Sequence, residues 1–322
     1  MKKVLLGIDT SNYRTSLCLA GEDGEIVAEA KRLLRVKPGK RGLQQSEAVF
    51  QHVMNLPELS DQLRLNDWEV AAVCASEKPR PVDDSYMPVF KVGEGLAKSL
   101  AVFLGVPCYL TSHQEGHIAA GEFTARKRPA ADRFLAVHLS GGTSEILDCE
   151  RVSTGYRIHK IGGSIDLHAG QLVDRIGVAL GLPFPAGPEL ERLAQQAEGT
   201  FRVASVVDGL QFSFSGPEAA LLRAAGQRTV LSAEIARATE QCLCNTLEKA
   251  LRNAVEAGWS REILIVGGVA ANQYIRKRLI KRLEHPAIGA ELFFCDPAYS
   301  GDNAYGVAQL GWLQHKTRTL NC

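Results

Sequence analysis

The feature that most constrains this chain is a strand-turn-strand unit that occurs twice. Val4 to Ile8 is an apolar run, Asp9-Thr10-Ser11-Asn12 has turn chemistry, and Thr15 to Ala20 resumes an extended pattern. Near Arg133 the scheme begins again. Phe134 to Leu139 is apolar, Ser140-Gly141-Gly142-Thr143-Ser144 is rich in glycine and hydroxyls, and Ile146 to Cys149 returns as a strand. A third strand follows each unit: Ile26 to Ala30 after the turn Gly21-Glu22-Asp23-Gly24, and Tyr156 to Ile161 in the second copy. Strands alternating with helices argue an α/β architecture, and the duplication argues two similar lobes with a cleft between them.

The remaining periodicity fits this plan. Helical spacing runs from Leu43 toward Leu65 with an interruption at Pro57, Val70 to Ala75 reads as a buried strand, and Val92 to Leu104 reads as a helix stopped by Gly105 and Pro107. The second half predicts helices at about 168–181, 188–198, 217–227 and 232–257. After them come a strand from Ile263 to Val266, a helix opening near Ala270, and a last helix from about Asp302 that fades after Leu313. The expected division is 1–132 and 133–322, with the last helix, about 302–315, returning to the first half.

A chain of 322 residues, 45% hydrophobic, is long and apolar enough for about two folded domains. Its 37 lysines and arginines balance 36 acids, which excludes any function resting on whole-chain charge, such as a nucleic-acid coat. Attraction to a polyanion would have to be local. Candidate clusters are Lys31 to Arg41, Arg126 to Arg128, and Arg276 to Arg282. The eight cysteines show no framework spacing and read as buried thiols of a reducing compartment. Without an export signal or a membrane-length apolar run, a cytoplasmic protein with no membrane partner is expected.

Three features carry chemistry. Glycine- and hydroxyl-rich turns present several backbone N–H groups to one anion, which makes Asp9-Thr10-Ser11 and Ser140-Gly141-Gly142-Thr143 candidate phosphate loops. The turn Gly267-Gly268-Val269-Ala270-Ala271-Asn272, between a strand and a helix, lets a flat ring approach the backbone. Four residues apart, His113 and His117 would share one face if they lie on a helix, and both could then reach one metal ion. Glutamine follows the first histidine where a zinc protease has its glutamate, which counts against peptide hydrolysis.

Taken in order along the chain, these residues resemble the TsaD (Gcp) family. His113-Gln114-Glu115-Gly116-His117 matches its His-x-Glu-Gly-His, and Leu139-Ser140-Gly141-Gly142 matches its Ser-Gly-Gly loop. Phe212-Ser213-Phe214-Ser215-Gly216, the Gly267 to Asn272 turn and Asp302-Asn303 match further signatures. The resemblance implies a duplicated fold of the actin and sugar-kinase ATPase type. It also implies transfer of threonylcarbamoyl from threonylcarbamoyl-adenylate to the adenosine beside the tRNA anticodon. It implies one divalent metal, iron, zinc or magnesium, on His113, His117 and Asp302. The nucleotide, ATP or the adenylate, would lie against Ser11, His138, Leu139, Ser140, Gly141, Gly142, Asp174, Gly187 and Asn272. Accessory subunits of the TsaB and TsaE type would be the protein partners.

The departures from the family mark a divergent paralogue. After Ser11 the family has Cys-Asp-Glu, and here Asn12-Tyr13-Arg14 removes two acids and adds a cation. Glu77-Lys78-Pro79-Arg80-Pro81 replaces a Gly-Pro-Gly-Leu segment, Thr143-Ser144 replaces His-Thr, and Leu167 stands where a second aspartate would follow Asp166. Two further readings remain open on this basis: a carbamoyltransferase acting on a small molecule, and a nucleotide-binding scaffold without catalysis.

Overall fold

In the computed structural model the described residues are 2–11, 13–37, 42–63 and 68–320. Asn12, Lys40, Arg41 and Cys322 lie outside them. The first hairpin pairs β1 (Lys2–Ser11) with β2 (Arg14–Gly21), setting Asp9 opposite Ser16 and Ser11 opposite Arg14, and β3 (Ile26–Leu33) adds to the far edge of β2. Asp9, Thr10 and Ser11 are therefore strand residues, all fully buried, and not the turn expected from their composition. Side chains alternate across a strand. Leu5, Gly7 and Asp9 thus share one face, and Ile8 and Thr10 share the other.

Two parallel strands complete this sheet: β4 (Trp68–Lys78) beside β1, then β5 (Cys108–Ser112), giving the order β3-β2-β1-β4-β5. The second sheet repeats the plan. Its hairpin pairs β6 (Arg133–Leu139) with β7 (Ser144–Val152), and β8 (Gly155–Ser164) follows antiparallel. The short strands β9 (Val206–Asp208) and β10 (Gln211–Ser213) extend the β8 edge, while β11 (Glu262–Val266) and β12 (Glu291–Phe294) run parallel beyond β6. The order β8-β7-β6-β11-β12 matches β3-β2-β1-β4-β5 strand for strand. Neither β5 nor β12 was legible as a strand, because each is an edge strand of only five or four residues.

Helices cover the outer face of each sheet. On the first, α1 (Gln45–Ser60) and α2 (Phe90–Leu104) pack against Ile8, Leu17 and Val73; Pro57 lies inside α1 and does not end it. On the second, the cover consists of α4 (Ala169–Ala179), α5 (Gly187–Ala194), α6 (Ser215–Gln227), α7 (Ser232–Glu256) and α8 (Gln273–Leu283), over Leu135, Val137 and Ile263. The helix expected from Ala270 is a single 3-10 turn over Gly268–Ala271, and α8 begins only at Gln273.

A third core lies between the sheets and places the site. Here α3 (His113–Thr124) and α10 (Tyr305–Leu320) are packed together among Leu5, Cys74, Phe134, Ala136 and Leu264, residues of both sheets. The last helix thus returns to β1 and β4, and the short α9 (Pro297–Ser300) precedes it. Gly306 makes the crossing possible: a Cβ there would stand 1.8 Å from the Gly116 carbonyl oxygen. Asp302 lies in the loop before α10, three residues short of the helix it was expected to open.

Six of the seven described cysteines are buried and Cys108 is half-buried. Among the described residues no helix is long and apolar enough to cross a membrane. The basic clusters shrink on folding. Lys31 pairs with Glu29 and Arg32 with Glu58. Arg276 turns inward onto the carbonyls of Ala270 and Cys295, Arg278 bonds Asn245, and Arg282 bonds Glu248.

Candidate functional site

The site is built where strand ends, α3 and the α10 loop meet. Ser112 starts α3 with a capping box: its Oγ accepts from the Glu115 N–H at 3.2 Å, and Glu115 Oε2 accepts from the Ser112 N–H at 2.9 Å. This aims Glu115 at its own helix terminus and leaves His113 and His117, one turn apart, on the opposite side. Their Nε2 atoms stand 3.1 Å apart, and each lies 3.5 Å from Asp302 Oδ1. Asp302 is held in place by its neighbour. Asn303 donates to the Tyr299 and Gly301 carbonyls and caps α10 by accepting from the Gly306 N–H at 3.1 Å.

This triangle fits a metal ion. Four-coordinate ions bound at about 2.0–2.2 Å hold their ligand atoms about 3.3–3.6 Å apart. The candidate ligand atoms of His113, His117 and Asp302 all lie within 4.8 Å of one another. Two imidazole nitrogens that face each other at 3.1 Å need a proton or a cation between them. Two nitrogens and one carboxylate oxygen suit iron or zinc better than magnesium, which prefers oxygen alone.

Asp9 completes the arrangement and was not singled out from the sequence as part of it. Its carboxylate, fully buried, accepts from His113 Nδ1 at 3.1 Å, from Ser11 Oγ at 2.7 Å and from Ser76 Oγ. A carboxylate on Nδ1 fixes the tautomer that leaves Nε2 free for a ligand. The signal was present in the alternation of Leu5, Gly7 and Asp9, but reading Asp9 as turn chemistry hid it. Burial alone would push the Asp9 and Asp302 carboxyls up; His113 outweighs it at Asp9, and His113 with His117 outweigh it at Asp302, so both stay low. Burial also opposes charge on His113, yet Asp9 and Asp302 raise it to about 10. His117, buried beside a cation, is pushed down.

His138 belongs with these groups. The period of β6 puts it on the face of Phe134 and Ala136, where its ring lies 4.6 Å from that of His117 and neither nitrogen has a hydrogen-bond partner among the described residues. Burial, then His117 and His113, holds it well below the ordinary histidine range. Leu139 points the other way into the core, so only its main chain can face a ligand.

The nucleotide candidates gather on the second half. Ser140 N donates to Thr143 O at 2.7 Å and Gly142 N to Ser140 Oγ at 3.3 Å, closing the loop. Gly267, at φ +93°, brings the next turn against it; a Cβ there would stand 2.3 Å from Leu139 O. Asp174 Oδ1 accepts from the Ala186 N–H at 2.7 Å, next to Gly187, and burial pushes its carboxyl up. Asn272 caps α8 through the Ile275 N–H at 2.9 Å and donates to buried Glu240 at 2.6 Å. Ser11 is the exception, since its buried hydroxyl is turned to Asp9.

Two motifs are structural in this geometry. Asp166 accepts from Ser213 Oγ at 2.5 Å, from the Phe214 N–H at 2.9 Å and from Ser215 Oγ, fastening the Phe212 to Gly216 segment at the start of α6. The altered segment at Arg80 ties the halves together. Buried Glu145 accepts from Arg80 Nε at 3.1 Å and from Gln114 Nε2 at 2.7 Å, joining β7 to the residue beside His113.

Comparison with known proteins agrees with this layout. A glucokinase of the ROK family from Streptomyces griseus, solved with glucose and AMPPNP, superposes with TM-score 0.52 at 15% identity, covering 95% of this chain and 98% of that one. HypF from T. kodakarensis gives TM-score 0.58 at 18% identity over 98% of this chain and 48% of its own. These show an actin-like, sugar-kinase-type ATPase fold. The tRNA N6-adenosine threonylcarbamoyltransferase of Methanopyrus kandleri is 30% identical over 97% of this chain and 88% of its own length. Residues 85–309 match the family described as TsaD, tRNA N6-adenosine threonylcarbamoyltransferase, and the chain belongs to that family.

Proposed function

We propose that this protein transfers threonylcarbamoyl from threonylcarbamoyl-adenylate to the adenosine beside the tRNA anticodon, in the cytoplasm, together with TsaB-like and TsaE-like subunits. The observation that carries the reading is the convergence of His113, His117 and Asp302 from α3 and the α10 loop, within a chain of this family. Iron or zinc bound there would polarise the carbamoyl carbonyl as a Lewis acid. Asp9 orients His113 for this role, and Asn303 holds the Asp302 loop. The Ser140 to Gly142 loop, Asp174, Gly187 and Asn272 face the adenylate and fix its direction, so that orientation supplies much of the rate. The adenosine amine attacks the carbamoyl carbon and AMP leaves.

Tyr13 favours a second reading, a nucleotide-binding scaffold without catalysis, because its ring lies against Phe184 and the Gly141 loop, where the family has an acid. Retention of three converging ligands favours the enzyme. The test supplies the metal-loaded protein, the adenylate-forming enzyme and the accessory subunits with unmodified tRNA, and measures modified adenosine by mass spectrometry. Modified adenosine supports transfer. Its absence with metal fully bound refutes transfer and leaves the scaffold.

A further inference from the structure

The tip of the first hairpin meets the second half of the molecule on one side and the Asp302 loop on the other. Tyr13 sets its ring edge-on to Phe184, with centroids 5.4 Å apart, and its Cε2 lies 3.9 Å from the Cβ position of Gly141. Arg14 donates through Nη1 to the main-chain oxygen of Asp302 at 3.0 Å, and the same nitrogen lies 3.2 Å from the Cβ position of Gly301. Residues 13 and 14 therefore span the mouth between the Ser140 to Gly142 loop and the metal-ligand loop.

A guanidinium carries five N–H donors. Arg14 is partly buried, yet among the described residues its side chain hydrogen-bonds only that carbonyl and no carboxylate pairs with it. Charged groups withdrawn from water are ordinarily paired. The two acids whose charge reaches Tyr13 are engaged elsewhere: Asp302 Oδ1 faces His113 and His117, and Asp174 Oδ1 accepts from Ala186. Arg80, the other altered cation near the cleft, is paired with Glu145. The main-chain N–H of Gly141, in the loop that Tyr13 touches, also has no acceptor among the described residues. An unpaired guanidinium and a free loop N–H at one mouth form a site for an anion with several oxygens, and phosphate accepts from arginine in a bidentate manner.

We propose that Arg14 binds the phosphoryl group of the nucleotide, with the Gly141 N–H as second donor, and makes the cleft selective for a nucleotide over its nucleoside. This rests on the nucleotide-binding reading above. Tyr13 forms the wall that directs the phosphoryl group toward Arg14.

The test is calorimetric titration of the metal-loaded full chain with AMP, adenosine and inorganic phosphate, for the wild type, Arg14→Gln and Arg14→Lys. A charged hydrogen-bonded contact corresponds to a preference of about 10- to 100-fold for AMP over adenosine in the wild type. Arg14→Gln is expected to erase that preference without changing adenosine affinity or metal content, and Arg14→Lys to restore part of it. An unchanged preference in Arg14→Gln overturns the proposal and leaves nucleotide binding standing. Joint loss of metal and adenosine binding in that variant overturns it in favour of a role in placing Asp302. Inorganic phosphate binding as tightly as AMP overturns the link to a nucleotide. A wild type that binds neither AMP nor adenosine overturns this proposal and the nucleotide reading together.

Discussion

Replacing Asp9 by asparagine tests whether the site is a metal centre held from behind by a carboxylate. The side chain keeps its size and one acceptor oxygen, so His113 Nδ1 retains a partner at the position now 3.1 Å away, but the charge is gone. The Ser76 hydroxyl keeps donating to that same oxygen, and the Ser11 hydroxyl, which faces the other one, can rotate to accept from the new amide, which limits the damage to packing. A hydrogen bond to a charged acceptor is worth about 1.5–3 kcal/mol against about 1 for a neutral one. The difference, about 0.5–2 kcal/mol, corresponds to a loss of about 2- to 30-fold in metal affinity. Losing an outer partner of a metal-ligating histidine has effects of about this size. The assay is competition for zinc or iron against a chelator of known affinity at one fixed pH, with thermal unfolding of the metal-free protein as control. Unchanged or higher metal affinity in a variant that folds normally would refute the role assigned to Asp9.

Two further predictions concern the frame around the site. Gly306→Ala places a methyl 1.8 Å from the Gly116 carbonyl oxygen, a backbone clash expected to remove about 3 kcal/mol or more and to weaken metal binding by moving Asp302 away from α3. Gly116→Ala meets the Val307 side chain at 3.2 Å and its main-chain nitrogen at an ordinary 3.8 Å, and should be mild; denaturant titration showing both variants alike would contradict the crossing described. Glu240 is pH-sensitive: burial, against the hydrogen bond from Asn272 and the charge of Arg237, raises its carboxyl to about 7. The unfolded value is about 4.3, so its favourable contribution is complete below about pH 4 and is lost as pH rises through 7, about 4 kcal/mol in all and about 3 of it between pH 5 and 8. Glu240→Gln should flatten stability between pH 5 and 8 by about that amount, and an unaltered slope in denaturation at the two pH values would count against the burial argument.

The duplication, the hairpins and the spacing of His113 and His117 were legible because they are local. A period of two marks strands, a spacing of four puts both histidines on one helix face, and glycine-rich turns separate elements. The ordered motifs extended this to the family and to Asp302 as a candidate ligand. Composition misled at Asp9, Thr10 and Ser11, whose polar character suggested a turn; pairing with β2 makes them strand, since buried partners on α2, α3 and β4 satisfy the polar atoms. It misled also at Arg276 and Arg278, which turn onto internal acceptors, whereas Arg282 stays exposed while it pairs with Glu248.

The sequence by itself determined the α/β repeat, the two lobes' strand-turn-strand units and the imidazole pair, because each depends on residues within a few positions of one another. Only the tertiary structure decided how α10 crosses α3 at Gly306, which brings Asp302 within 3.5 Å of both histidines, and how Asp9 and His138, near the ends of β1 and β6, turn toward that same point. Those contacts depend on how two sheets pack about a shared pair of helices. No local period records that packing, since it is fixed by the space left between side chains far apart along the chain.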